Sequence, residues 1–165
     1  MRTITLFFSF VIALSFVSGC GDTESSRRPA DLPKLYPVTI TITQEGTPLE
    51  GADVGLTAKT PTKYGSSTGE TDASGIAKPR TYGFAGVPAG QYVVTVSKNG
   101  LEGAQEKFTE EEGIPYMAGG KNYSYVDEQY WRDRSNTPLS IEVTDKGVTE
   151  TFDVGAPVHV FLGNN

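Results

Sequence analysis

Strict alternation of apolar and polar side chains over residues 38–43 constrains the fold of this chain more than any other feature. Successive side chains of an extended strand point to opposite faces, so Val38, Ile40 and Ile42 lie on one side. The pattern predicts a half-buried β-strand. Similar short runs recur between turns rich in Gly and Pro, at residues 52–58, 76–82, 91–98, 139–143, 148–154 and 158–162.

The recurrence of these runs predicts the fold class. About seven short strands separated by turns are typical of an all-β chain, here a seven-stranded antiparallel β-sandwich with Greek-key connections. Residues 60–69 and 83–90 are predicted loops, and Pro79 is expected to interrupt its strand or place it at an edge. The predicted core consists of Ile40, Ile42, Val54, Leu56, Ile76, Tyr92, Val94, Val96, Leu139, Ile141, Val143, Phe152 and Val154.

The N-terminus has the pattern of a secretory signal peptide. Arg2 is the only charged residue before Asp22, and residues 4–17 are almost wholly apolar, which is too short for a comfortable membrane span. The segment Val17-Ser18-Gly19-Cys20 resembles the bacterial lipobox. That resemblance implies cleavage before Cys20, a thioether-linked diacylglycerol on its sulfur and often acylation of the new amine.

Cysteine usage agrees with lipidation. Cys20 is the only Cys, so no internal disulfide can form and an exported chain needs another use for its thiol. Two or more acyl chains make anchoring stable. We therefore expect a signal peptide at residues 1–19, a lipidated Cys and flexible tether at 20–37, and a sandwich domain at 38–165. The domain is expected in the cell envelope, anchored to a membrane and facing outside the cytoplasm.

A long polar insert at about residues 99–135 breaks the strand pattern. An insert of this length is typical of a functional or partly disordered loop. Its aromatic side chains can stack on sugar rings or form a protein-binding hot spot, and they can equally pin the loop onto the sandwich. The candidate ligand-binding residues are Tyr116, Tyr123, Tyr125, Tyr130 and Trp131.

Charge and residue types limit the chemistry. The net charge of -6 disfavours nucleic acid as a partner because phosphates are repelled. Gly65-Ser66-Ser67-Thr68-Gly69 matches a nucleophile elbow, but that motif needs a strand before it and a helix after it. His159, the only His, would have to complete a Ser-His-Asp triad, and we expect it instead at a surface or strand edge.

No metal site or cofactor is expected either. One His and one acylated Cys leave too few ligands for zinc. The acidic residues of the insert lack the alternating spacing of a calcium loop and are interpreted as a solvated acidic surface. They are Glu110, Glu111, Glu112, Asp127, Glu128 and Asp133.

Three segments carry a family resemblance. They are Gly46-Thr47-Pro48-Leu49-Glu50-Gly51-Ala52, Thr71-Asp72-Ala73-Ser74-Gly75 and Val87-Pro88-Ala89-Gly90-Gln91-Tyr92-Val93-Val94-Thr95-Val96. In that order they resemble the carboxypeptidase regulatory-like, transthyretin-like (prealbumin-like) domains of small bacterial lipoproteins of the planctomycete type. The resemblance covers roughly residues 38–154 and implies a seven-stranded sandwich that serves as an accessory or surface domain without catalysis.

The expected function is accordingly a non-enzymatic, lipid-anchored accessory or binding module of the cell envelope. Its partners are expected to be the membrane, through the lipid, and an envelope protein or polysaccharide. The alternative is a carbohydrate-binding module that uses the aromatic side chains of the insert.

Overall fold

The computed structural model describes residues 28–109, 113–134 and 137–164. The predicted signal peptide, Cys20 and the first half of the predicted tether lie outside these residues. The strands in chain order are β1 (Leu35–Tyr36), β2 (Val38–Gln44), β3 (Thr47–Pro48), β4 (Asp53–Ala58), β5 (Ser66–Glu70), β6 (Ile76–Ala77), β7 (Arg80–Thr81), β8 (Phe84–Ala85), β9 (Val87–Pro88), β10 (Gly90–Ser97), β11 (Asn99–Glu102), β12 (Gln105–Phe108), β13 (Pro115–Ala118), β14 (Lys121–Ser124), β15 (Leu139–Val143), β16 (Val148–Asp153) and β17 (Val160–Asn164).

Two sheets form the sandwich and confirm the predicted all-β fold. The first sheet has the order β15-β10-β4-β5-β7-β8, and the second has β16-β2-β3 with β6 also paired to β2. As predicted, Pro79 interrupts a strand, because β6 ends at Ala77 and β7 starts at Arg80 in the other sheet.

One strand pair departs from the antiparallel pattern. β16 runs parallel to β2, with Val148 opposite Val38 and Asp153 opposite Thr43. Parallel neighbours need a crossover connection rather than a hairpin. Here the chain between β2 and β16 builds the whole first sheet before it returns, so the crossover is supplied by the other layer of the sandwich.

The core lies between the two sheets. Alternate residues of β2 are buried, and Ile40 and Ile42 are fully inaccessible, as the alternation predicts. Three predicted core residues, Ile76, Leu139 and Phe152, are only partly buried, because their short or edge strands leave one side open. Buried apolar residues that were not among the predicted core lie mostly in turns and two-residue strands: Leu49, Ala77, Val87 and Val126.

Two predicted irregular segments are corrected by the structure. Ser66–Glu70, predicted within a loop, is strand β5 and pairs with β4. The second half of the predicted tether is also ordered on the domain, since β1 pairs with β9. Asp31 reinforces this docking, because Lys63 Nζ and Tyr64 Oη each donate to its carboxylate at 2.6 Å.

The predicted insert is largely regular β-structure where the structure describes it. β11, β14 and β17 form a three-stranded sheet, and β12 pairs with β13 in a separate hairpin. We call these five strands the β-arm. A single turn of 3-10 helix, Glu128–Tyr130, leads from the β-arm back toward the sandwich. Across the described residues, no helix has the length and apolar character needed to cross a membrane.

Candidate functional site

One face of the three-stranded sheet in the β-arm collects polar and aromatic side chains. Register places Glu102 of β11 opposite Lys121 of β14, and Lys121 opposite Asn164 of β17. Tyr123 lies opposite Phe161 on the same side, because residues two apart along a strand share a face. The pairing of these strands therefore brings together residues from both ends of the insert and from the C-terminal segment.

Tyr123 is held in place by neighbouring rings. The rings of Tyr123 and His159 are stacked, with centroids 4.0 Å apart and planes 12° from parallel. Phe161 packs against Tyr123 at a tilt, with centroids 5.7 Å apart. Offset or tilted aromatic pairs of this kind add stability beyond their buried area, so the Tyr123 ring has a defined orientation.

Glu102 joins this cluster through hydrogen bonds. Tyr125 Oη donates to Glu102 Oε1 at 2.6 Å, and His159 Nε2 lies 3.0 Å from the same oxygen. The hydroxyl of Tyr125 and then the imidazole of His159 lower the pKa of Glu102 by stabilising its charged form. Conversely, hydrogen bonding to the carboxylate raises the pKa of Tyr125. Glu102 is thus a carboxylate whose charge is already shared with two partners.

Gly100 makes room for the Tyr125 side chain. A Cβ at residue 100 would lie 2.7 Å from Cε2 and 2.9 Å from the hydroxyl oxygen of Tyr125. Such separations are shorter than a van der Waals contact, so a larger residue would displace the ring from Glu102. The local sequence of β11 therefore determines the geometry of the cluster.

A cleft of about 640 Å³ lies between this sheet face and the β12–β13 hairpin. Gln105 and Lys107 alternate onto the same side of β12 and line one wall, while Lys121 and Tyr123 line the other. The remaining lining residues are Glu102, Gly103, Ala118, Gly119, Gly120 and Asn164. The volume is in the range of small-molecule binding sites.

The two lysines of the cleft form no ion pair among the residues that the structure describes. Neither Lys107 nor Lys121 forms an ion pair with a carboxylate of the described residues, whereas Lys63, Arg132 and His159 each do. Glu102, the acidic side chain among the residues that line the cleft, is bonded to Tyr125 and His159. The lining therefore carries two ammonium groups and one carboxylate, a net charge of +1.

The structure separates the five predicted aromatic candidates into three groups. Tyr123 and Tyr125 belong to the cluster beside the cleft, and Tyr116 is exposed on β13 opposite Lys107. Tyr130 and Trp131 instead pack against the core of the sandwich, and Trp131 Nε1 donates to the carbonyl of Val126 at 3.0 Å. Tyr130 and Trp131 therefore pin the insert onto the sandwich, which is the structural role considered for the aromatic residues.

Several residues of the cleft were not predicted. No sequence motif marks Gln105, Lys107, Lys121 or Asn164. A residue can line a cleft wherever strand pairing turns its side chain toward the opening, and local sequence does not record that pairing. One signal was present in the sequence: Lys121, Tyr123 and Tyr125 alternate with smaller polar residues, which is a strand pattern inside the predicted insert.

The residues of the nucleophile-elbow match have another role. Ser67 is buried on β5, and its hydroxyl shares a 2.8 Å hydrogen bond with that of Thr81. Thr81 in turn donates to the carbonyl of Gly86 at 2.8 Å. His159, exposed as predicted, is engaged with Glu102 in the β-arm. Ser67 therefore contributes to the packing of the first sheet.

The acidic residues of the insert are likewise dispersed. Glu128 forms an ion pair with Arg132 one turn along the chain, and the carboxylate of Asp127 caps the 3-10 turn by accepting from the backbone of Gln129. Glu110, Glu111 and Glu112 lie outside the described residues. Within the described ranges, no group of three or more His, Cys, Asp and Glu side chains is arranged to hold a metal ion.

Comparisons with known proteins report only distant structural similarity. No protein-family model and no curated protein sequence matches the chain. Among solved structures, a variant of BcpA, the major pilin subunit of Bacillus cereus, superposes with a TM-score of 0.39 and 17% identity, covering 74% of this chain and 30% of the pilin. BcpA itself superposes with a TM-score of 0.34 and 16% identity, covering 73% of this chain and 29% of the pilin.

A 9R-lipoxygenase from Cyanothece superposes with a TM-score of 0.30 and 17% identity, covering 79% of this chain and 17% of the enzyme. The chain thus spans under a third of each of these proteins. Similarity at this level supports no argument about family or activity. The class of protein is defined by its own architecture, an all-β sandwich that carries a β-arm with a lined cleft.

Proposed function

We propose that this chain is a non-enzymatic binding module of the cell envelope, anchored to a membrane by lipid on Cys20. The lipobox-like segment Val17–Cys20, after an apolar stretch with a basic start, carries this proposal. The resemblance to transthyretin-like domains of small bacterial lipoproteins supports an accessory role. The β-arm supplies a binding surface that is separate from the packed core.

Docking of the second half of the tether affects how far the domain stands from the membrane. Residues 28–37 lie on the domain, so seven residues, 21–27, lie between Cys20 and the first described residue, Arg28. Fully extended, the eight steps from Cys20 to Arg28 span about 28 Å. We infer that the module works close to the lipid surface, where a ligand in the envelope next to that membrane is accessible.

The anchor is tested by replacing Cys20 with Ser in the full-length chain. We expect the variant to leave the membrane fraction or to retain its signal peptide, because the thiol is the acceptor of the lipid. Fractionation and mass spectrometry of the N-terminal peptide measure both outcomes. Ser25→Ala, in the tether beyond the lipobox, is the matched control and should remain anchored. Unchanged membrane association and processing of Cys20→Ser would contradict the proposal.

Carbohydrate binding is the second candidate function, favoured by the position of Tyr123 in the wall of the cleft. Pyranose rings present apolar C–H groups that stack on aromatic faces, while cleft amides such as those of Gln105 and Asn164 can bond hydroxyl groups. Titration calorimetry of envelope polysaccharides against the wild type and Tyr123→Ala tests this function. Binding that is lost in Tyr123→Ala and kept in Tyr82→Ala, an exposed tyrosine on the sandwich, is the expected result. A polysaccharide response that is the same in both variants would exclude the cleft as its site.

A further inference from the structure

We propose that the cleft of the β-arm binds an acidic saccharide, with Lys107 and Lys121 holding a carboxylate on a sugar ring that rests against Tyr123. This inference rests on the proposed binding function and specifies its ligand. It follows from the charge of the cleft, the fixed ring at its wall and the small residues around it.

The charge of the cleft is opposite to that of the whole chain. The protein has a net charge of -6, yet Lys107 and Lys121 both line this cleft and form no ion pair within the described residues. Glu106, the nearest acid along β12, alternates onto the other side of the hairpin, where it lies opposite Met117. Two ammonium groups against one carboxylate give the lining a net positive charge, which favours negative ligands over neutral ones.

Glu102 offsets one of the two ammonium charges and leaves the lining residues with a net charge of +1. Its Oε1 accepts from Tyr125 and lies within hydrogen-bond distance of His159. These hydrogen bonds direct the carboxylate toward Tyr125 and His159. The residue acts as a positioning group, because it links the ring that stacks on Tyr123 to the neighbouring strand.

The shape of the cleft suits a ring rather than an extended chain. Tyr123 is oriented by its stacking on His159, which leaves an aromatic surface already ordered before binding. A Cβ added at Gly103 or Gly119 would have no atom within 4 Å, so the backbone is open to a ligand at these two positions. Gly120 is packed closely, since its Cβ would lie 2.7 Å from Leu101 Cδ1.

These features together identify the ligand class. An ammonium pair recognises a carboxylate, side-chain amides recognise hydroxyl groups, and an aromatic wall recognises the apolar face of a pyranose. A uronic acid carries all three in one ring. The appropriate probes are hexagalacturonate, the neutral maltohexaose and the peptide hexaglutamate, which has carboxylates without sugar rings.

The test measures binding of each probe to full-length, detergent-solubilised protein by titration calorimetry at low and moderate salt. The double variant Lys107→Gln and Lys121→Gln removes both charges and keeps the side-chain length. The matched control, Lys78→Gln with Lys146→Gln, removes two exposed lysines of the sandwich and makes the same change in net charge. Circular dichroism and thermal unfolding establish that both variants are folded.

We expect hexagalacturonate to bind the wild type and to bind the cleft variant at least about 10-fold more weakly, as loss of charge-assisted hydrogen bonds requires. The control should change less than about 2-fold, and affinity should fall with salt. Equal weakening in both double variants, or no binding of hexagalacturonate to the wild type, would overturn the inference.

Two further outcomes identify which proposal has failed. Binding of maltohexaose as tight as that of hexagalacturonate overturns the acidic specificity and leaves the carbohydrate function standing. Hexaglutamate binding as tight as hexagalacturonate shows that charge alone is recognised and overturns the saccharide assignment. The membrane anchor is tested separately through Cys20, so none of these results depends on it.

Discussion

At the residue scale, Asp153 joins three segments of the second sheet. Its carboxylate accepts from the Thr43 hydroxyl at 2.7 Å and from the backbone N–H groups of Gly46 and Gly155, each at 2.8 Å. A longer bond of 3.3 Å comes from the N–H of Glu45. The end of β16 is thus tied to the β2–β3 turn by one side chain.

These bonds predict a dependence of stability on pH. The Thr43 hydroxyl, followed by the backbone donors, lowers the pKa of Asp153 from 3.8 to about 2. A group whose pKa is lower in the folded state stabilises the fold above its unfolded value, so the contribution is present above about pH 4 and is lost on acidification toward about pH 2.

Asp153→Asn tests this directly. We expect it to lower the Tm at pH 6, and the difference from wild type should narrow as pH falls from about 4 to about 2. Thermal unfolding by circular dichroism at several pH values measures the effect. Asp145→Asn, in an exposed turn, should show little change at any pH. A difference in Tm from wild type that stays constant between pH 6 and pH 2 would show that the effect comes from the changed hydrogen bonds and not from the charge of Asp153.

At the element scale, the turn that leads into the parallel strand β16 depends on one glycine. Gly147 has a φ of +80°, and a Cβ there would lie 2.2 Å from the carbonyl oxygen of Pro37. That oxygen accepts from the N–H of Val148 at 3.0 Å, at the start of the parallel pairing. The close approach of the two segments therefore requires a residue without a side chain.

Gly147→Ala should destabilise the domain by about 2–4 kcal/mol, from the unfavourable φ and from the steric overlap with Pro37. Gly83→Ala is the matched control, because Gly83 has a similar φ of +85° and open space around its would-be Cβ. It should cost only about 1 kcal/mol. Urea unfolding of both variants measures the difference in their free energies of unfolding. Equal losses of free energy would show that the steric overlap with Pro37 adds no cost.

At the scale of the whole molecule, the second half of the predicted tether is folded onto the sandwich. Asp31 accepts from Lys63 and Tyr64, and these two donors, Lys63 first, lower its pKa. Leu32 is buried beside it, and β1 continues the attachment through its pairing with β9. The domain therefore begins before the first alternating strand, at a segment whose Pro-rich composition predicts a flexible linker.

Loss of the Asp31 contacts should loosen this segment. We expect Asp31→Ala to speed tryptic cleavage after Lys34 by roughly 5-fold, because local opening controls access to a paired backbone. Asp145→Ala should leave the rate unchanged. The measurement is a digestion time course followed by mass spectrometry. Equal cleavage rates in the wild type and Asp31→Ala would show that β1 alone holds the segment.

The sequence predicted the central strands well because their information is local. Alternation over residues 38–43, 52–58 and 91–98 states which face is buried without reference to any partner. The sequence predicted Ser66–Glu70 and the insert poorly, because the strands there depend on their partners and not on a local pattern. β5 is rich in Ser, Thr and Gly, and becomes a strand because β4 lies beside it to complete its hydrogen bonds.

The candidate site was predicted only in part. Aromatic composition identified Tyr123 and Tyr125, but gave no means of separating them from Tyr130 and Trp131, which pack against the core. Whether an aromatic side chain lines a cleft or attaches a loop depends on which strand lies opposite. That information resides in the pairing of β14 with β17, across more than thirty intervening residues.

The sequence by itself determined the all-β class and the inward faces of the principal strands, because periodicity needs no long-range contact. Lipid attachment at Cys20 stays a prediction from a contiguous motif. The tertiary structure decided the parallel pairing of β16 with β2, the docking of residues 28–37 and the assembly of Lys107, Lys121 and Tyr123 around one cleft. Each of these is a contact between distant segments. Hydrogen bonding and burial select such contacts only when the whole chain is folded.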